Sequence, residues 1–199
     1  AVRVNHRGLL AGIAEVAGLG DRLIDFTVAL DKLDKIGPDG VRAEWRERGF
    51  TDAQCDALEP ALQPMGDLNA TLDRMAVWLS ASDVGSAAVE ELRWLVARAS
   101  ATGRLKLDVT LARGLNYYTG CIFEVQALGV AMGSVGGGGR YDNLTGIFGV
   151  PGLSGVGISF GLDRIVLCLA ELGLLPELAS GPHAMVFQFR ALESDFAFQ

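Results

Sequence analysis

Several residue types are scarce in this 199-residue chain, and each scarcity removes a class of protein. No stretch approaches the roughly 18 consecutive apolar residues of a membrane-spanning helix, so neither a transmembrane segment nor a membrane partner is expected. The first residues, AVRVNHRG, hold neither a Met nor an apolar signal core, so no secretory address is expected. The three cysteines, Cys55, Cys121 and Cys168, are odd in number and far apart. That pattern points to reduced thiols in a cytoplasmic protein rather than to a disulfide framework. With only His6 and His183 and no Cys-x-x-Cys pair, no metal site is predicted. A net charge of −7 argues against a protein that coats nucleic acid indiscriminately, while leaving room for a local RNA-binding patch.

Basic charge is sparse in one half only. Residues 1–104 hold 12 of the 17 basic and 16 of the 24 acidic residues; residues 105–199 hold 5 and 8, but 16 of the 26 glycines. The chain therefore divides near Gly103 into a charged helical layer and a glycine-rich, weakly charged block.

Helical spacing dominates the first half. Leu9, Leu10, Ile13, Val16 and Ala17 share one face. A second helix is expected from about residue 21 to 35, with Asp31 and Lys35 as an i, i+4 ion pair. Gly37 ends it, and Pro38 suits the first turn of the next helix, which carries Val41 and Trp45 and stops at Gly49. Thr51–Gln54 reads as a capping box. Two further stripes follow, Leu68/Leu72/Met75/Leu79 and Val89/Leu92/Leu95/Val96/Ala99.

After Gly103 the period changes. Leu105, Leu107, Val109 and Leu111 alternate with polar residues and predict a half-buried strand. CIFEVQAL predicts another, GVGISFG then LDRIVLCLAELG a strand, tight turn and helix, and AMVFQF a last strand.

Three of the five basic residues in this half sit in glycine-flanked segments: Arg113 in ARGLNYYTG, Arg140 in GGGGRYD, and Arg164 after GVGISFGLD. Glycine lets backbone approach a ligand, and guanidinium offers a planar fork of donors to carboxylate or phosphate. Together the three suggest an anion-binding cleft; singly, each could be a surface residue or part of a structural pair. Glu124 and Asp142 are expected to pair with nearby arginines, a catalytic role being the alternative. Cys121 reads as a small buried hydrophobe. GGGGRYD lacks the closing Lys-Ser/Thr of a phosphate-binding loop, and GVGISFG lacks dinucleotide spacing. Tyr117 and Tyr118, if in a strand, would point to opposite faces.

LARGLNYYTGCIFE resembles the histidine-recognition motif of histidyl-tRNA synthetases, SVGGGGRYDNL the glycine-rich loop and strand that follow it, and GVGISFGLDRIVLCLAE motif 3 of class II synthetases. VRVNHRGLLAGI and ALDKLDKIGPDGVRAEWRERGF resemble the segment after motif 2 and the helical insertion. Asn116 stands where the family usually has Asp, and Asp163 where it usually has Glu.

The resemblance implies an α+β fold: part of an antiparallel class II sheet with a helical domain inserted ahead of it. Residues 1–104 would hold the end of a core strand and the insertion, 105–180 the C-terminal half of the catalytic core, and 181–199 the start of the anticodon-binding domain. Arg113 would reach the histidine carboxylate and the ATP α-phosphate. Tyr118, with Tyr117, would read the imidazole; Arg164 would hold the γ-phosphate; Gly137, Gly138, Arg140 and Tyr141 would belong to a pocket loop. The implied partners are histidine, ATP with Mg2+, tRNA(His) and, in the parent enzyme, a second copy. Motifs 1 and 2 are absent, so the chain is expected to be an internal piece, inactive alone, with residues 6–103 a separable helical unit. A histidine-binding regulatory subunit of histidine biosynthesis that aminoacylates nothing is the alternative.

Overall fold

The computed structural model describes residues 1–63, 66–99, 102–175 and 185. The expected strand AMVFQF and the expected start of an anticodon-binding domain lie outside them, Met185 aside.

The chain opens on β1 (Val2–His6) and passes directly into α1 (Arg7–Val16). His6 makes that corner. Its Nδ1 accepts from the Gly8 amide, capping the helix, so Nε2 carries the proton donated to Glu91 at 3.1 Å. Burial lowers the His6 pKa, against the pull of Glu91, and favours the neutral ring. Helices α2 (Leu23–Leu30), α3 (Leu33–Glu47), α4 (Asp52–Leu62), α5 (Leu68–Trp78) and α6 (Asp83–Arg98) complete the helical layer.

Local signals set most of these boundaries. Gly37 at φ 69° breaks α3, and Pro38 restarts it. Thr51 and Gln54 exchange both bonds of the capping box at the start of α4. The single helix expected over 21–35 is two. The chain turns at Asp31–Lys32, which lets Lys32 Nζ meet both oxygens of Glu44 at 2.8 and 2.9 Å and lets Leu33 pack on the core. No ion pair joins Asp31 to Lys35.

A 3-10 turn (Thr102–Arg104) leads to β2 (Leu105–Leu107), followed by β3 (Cys121–Gln126), β4 (Ser134–Tyr141), α7 (Leu144–Ile147), β5 (Gly155–Phe160) and α8 (Leu162–Glu171). The sheet order is β2-β1-β3-β4-β5, antiparallel except for the β1–β2 pair, which is parallel. β2 is shorter than its alternating pattern suggests. Asp108 Oδ1 accepts from the Thr110 amide and hydroxyl, and this local turn competes with further pairing. Val109 and Leu111 are nonetheless buried.

Helices α1 and α6 lie against the sheet and against each other at Gly12 and Gly85, where a Cβ on Gly12 would come within 2.5 Å of Gly85 Cα. One apolar cluster runs from Val4 through Leu10, Phe26, Trp45, Leu58, Met75 and Leu92 to Leu107 and Val109. Its largest member, Trp45, is fully buried with Nε1 donating to the Phe26 carbonyl at 3.1 Å. The helices thus share their core with β1 and β2, which argues against a helical unit that folds apart from the sheet.

Candidate active site

Strand register sorts the sheet residues onto two faces. Arg3 of β1, Glu124 of β3, Gly137 of β4 and Ser159 of β5 stand in one row; Asn5, Ile122, Gly139 and Gly157 stand in the next row of the same face. The opposite face holds Val4, Phe123, Gly138 and Ile158, with His6, Cys121, Arg140 and Val156 in the row beside them.

On the first face the missing Cβ atoms of glycine make room for rings. A Cβ on Gly139 would lie 2.7 Å from the Tyr118 ring, and one on Gly155 would lie 2.3 Å from the Tyr141 ring. The glycine run is therefore the middle of a strand and not the pocket loop expected: Gly137 and Gly138 are paired on both sides. At Gly138 a Cβ would meet the Gly157 carbonyl oxygen 2.0 Å away.

The loop from Ala112 to Gly120 carries the tyrosines. They do not lie in a strand with opposed rings. Both amides donate to the Gly114 carbonyl, closing a turn around a glycine at φ 67°. The two rings meet edge to face, 4.4 Å between centroids. Burial, then the neighbouring Tyr117 phenol, raises the Tyr118 pKa and keeps that phenol protonated. A cavity of about 370 Å³ opens beside them, lined by Arg7, Tyr117, Tyr118, Thr119, Asn143 and Ile147 among others.

Arg113 lies in the same loop with its side chain 63% exposed, Nη1 3.3 Å from Glu124 Oε2. Glu124 is 3% exposed and is shared: Arg3 Nη1 donates to its Oε1 at 2.9 Å. Arg3 is itself held by Asp108 through Nε at 2.5 Å and by Thr110 at 3.0 Å. Burial works against the Arg3 charge, but Asp108 and Glu124 outweigh it and raise the pKa.

Arg140 does not join Arg113. It lies on the other face, packs across Gly120, donates to Asp142 at 3.0 Å and comes within 4.0 Å of Glu91 on α6. Arg164 donates Nη1 to the Ser134 carbonyl at 2.7 Å, at the start of β4. The three arginines share no partner, and a single three-arginine cleft is not what the fold builds. The expected pairing of Glu124 and Asp142 with arginines is what the structure has. Cys121 is partly buried, and burial pushes its thiol up to about 11, so it is a poor nucleophile.

Two residues went unnoticed in the sequence. Arg3, a charge alternating inside the apolar pattern VRVNH, was the legible one. Arg7 lines the tyrosine cavity with a buried Nη1 that makes no hydrogen bond, and only burial acts on its pKa, lowering it. Among the described residues no three His, Cys, Asp or Glu side chains gather as metal ligands. No described helix is long and apolar enough to cross a membrane.

A mostly antiparallel sheet backed by helices, with an Arg-Gly-Leu-Asn-Tyr-Tyr turn over a glycine-lined face, is part of a class II aminoacyl-tRNA synthetase fold. The family model for histidyl-tRNA synthetase matches residues 1–165, and the chain belongs to that family. The histidine–tRNA ligase of Flavobacterium johnsoniae is 52% identical over 191 residues, which are 94% of this chain and 40% of that protein. That of Porphyromonas gingivalis is 48% identical, over 98% of this chain and 44% of that protein. The crystal structure of histidyl-tRNA synthetase from Nostoc sp. PCC 7120 superposes with a TM-score of 0.80 at 31% identity, covering 88% of this chain and 43% of that one. The chain thus spans about two-fifths of the length of its relatives.

Proposed function

We propose that the chain is part of a cytoplasmic histidine–tRNA ligase and supplies one side of the site that forms histidyl-adenylate. In that reaction a histidine carboxylate oxygen attacks the α-phosphorus of ATP and pyrophosphate leaves. A tRNA(His) terminal hydroxyl then attacks the activated carbonyl and AMP leaves. The observation that carries the reading is Arg113: an exposed guanidinium, tethered at one edge by a buried carboxylate, beside two tyrosines in contact.

Negative charge grows on the phosphorus oxygens as the carboxylate attacks. A guanidinium already in place stabilises that state more than the ground state. Tyr118, over Gly139 and next to the cavity, is the proposed reader of the imidazole, with Tyr117 as the cavity's exposed rim. Arg164 is the proposed γ-phosphate contact. Tyr141, over Gly155, helps fix the sheet face; Gly137, Gly138 and Arg140 are assigned to the frame of the site rather than to ligand contact. Magnesium would enter on the nucleotide. The layer α1–α6 is the proposed contact to the tRNA acceptor arm, and a second copy completes the parent enzyme. The regulatory-subunit alternative is not better supported than the ligase reading.

The test is histidine-dependent ATP–pyrophosphate exchange in a full-length ligase carrying these residues. Arg113→Ala should lower adenylate formation at saturating histidine by about a hundred- to a thousandfold, or about 3–4 kcal/mol in the barrier. Arg113→Lys should recover little, since an ammonium is no planar fork. Tyr118→Phe should raise the histidine KM more than it lowers the rate. A near-normal rate with a raised KM in Arg113→Ala would make the residue a substrate clamp and sink the assignment.

A further inference from the structure

We infer that Glu124 is a positioning residue for Arg113: it sets where that guanidinium stands rather than merely filling out the sheet. The inference rests on the proposed adenylation role of Arg113. Its ground is how the two carboxylate oxygens are used. Oε1 is satisfied, accepting from Arg3 at 2.9 Å and from Gln126 Nε2 at 3.3 Å. Oε2 is buried and accepts no hydrogen bond. The charge it faces is Arg113 Nη1 at 3.3 Å, an ionic contact without hydrogen-bond alignment. A buried carboxylate oxygen left without a donor is costly, commonly by about 1–3 kcal/mol. A structural role toward Arg3 would need only Oε1.

Charge accounting gives the same answer. Arg3 has a second carboxylate, Asp108, and a hydroxyl, Thr110, so it stays paired if Glu124 is neutralised. Arg113 has no other carboxylate within ion-pair distance among the described residues. One edge of its fork is held by Glu124, and its remaining donors are free for a substrate anion. The loop alone would not do this, because the Arg113 side chain is largely exposed. Fixing one edge removes rotamer freedom before substrate arrives, which is how a charged donor becomes preorganised.

The experiment is a double-mutant cycle in the full-length ligase, read by single-turnover adenylate formation at saturating histidine and ATP. Glu124→Gln keeps an acceptor for Arg3 and removes the charge facing Arg113. It should slow adenylate formation by about ten- to a hundredfold with little change in histidine KM, the cost of misplacing a catalytic group by about 1 Å. In an Arg113→Ala background the same change should alter the rate less than about twofold, because coupled residues are not additive. An equal loss in both backgrounds would show a structural role and overturn the inference while leaving the function standing. A near-normal rate for Arg113→Ala would overturn both. If Glu124→Gln does not fold, Glu124→Asp keeps the charge but draws the carboxylate back from both arginines; Arg3 keeps Asp108 and Thr110, whereas Arg113 loses its one carboxylate contact among the described residues. It must show the same non-additivity, and an additive loss there also overturns the inference.

Discussion

The two ends of the sheet are finished differently. Around β1 and β2 the helical layer closes over the strands, and Phe26, Trp45, Leu58, Met75 and Leu92 are fully buried. At the other end, β5 is the last strand among the described residues and pairs on one side only, with β4; its Val156, Ile158 and Phe160 are 69%, 53% and 62% exposed, and Ile147 and Phe148 at the end of α7 are more exposed still. Both ends carry large apolar side chains; what differs among the described residues is how far helices cover them. A bare apolar strand edge is an invitation to pair or aggregate. The helical end is therefore governed by packing within this chain, and the glycine-rich end by what its backbone and charged groups hold in place.

The largest effect on this contrast should come from the packed end. Trp45→Ala removes a ring in contact with Phe26 and Phe50 and leaves the Phe26 carbonyl without its indole donor. A loss of about 3–5 kcal/mol is expected, measured by urea unfolding. A loss below about 1 kcal/mol would mean that the helical core is looser than its burial indicates.

Gly139→Ala tests the glycine end by a different cost. The added Cβ would stand 2.6 Å from the Cys121 carbonyl oxygen and 2.7 Å from the Tyr118 ring, so backbone or ring must move. Overpacking of this kind costs about 1–3 kcal/mol. Because the ring gives way more easily than the strand, histidine KM should rise together with the stability loss. An unchanged KM would separate Tyr118 from the histidine pocket.

What was legible in the sequence follows the same division. Helix caps and breaks are local chemistry: Gly37, Pro38 and the Thr51–Gln54 box each act within a few residues and were readable as such. β2 is shorter than its alternation predicts because Asp108 bonds its own neighbour Thr110, a competitor that alternation does not register. The face of Arg140 was hidden because Gly136–Gly139 carry no side chains whose alternation could reveal a strand. The Arg3–Glu124 pair joins residues 121 apart in sequence through cross-strand register, which no local pattern contains.

Acid should act on the glycine end through Asp142. Hydrogen bonds from Ser154 and Thr119, and then Arg140, hold its carboxyl down to about 2, below an ordinary value of 3.8. A depressed folded-state pKa contributes stability above the unfolded value, and that stability is lost as pH falls through about 2. The carboxyl carbon signal of Asp142 should titrate near 2, and Thr119→Val should move the midpoint toward 3.8. A midpoint already near 3.8 in the unaltered protein would remove the Thr119–Asp142 link as an anchor of the tyrosine loop.

The smallest effect is expected at an exposed apolar residue of the outer strand. Phe160 ends β5 on the edge of the sheet, its ring reaching over Gly136 but mostly in water. In this chain alone Phe160→Ser should change unfolding stability by no more than about 0.5 kcal/mol, as for other exposed positions. Light scattering should show less association, since the change removes apolar surface beside a strand edge left open among the described residues. In a full-length ligase the same substitution separates two cases. If the remaining three-fifths of the relatives' length covers β5, the cost should rise toward the about 3–5 kcal/mol of a buried phenylalanine. If it stays near zero there too, β5 is a true outer edge, and the contrast between the two ends belongs to the whole enzyme rather than to this part of it.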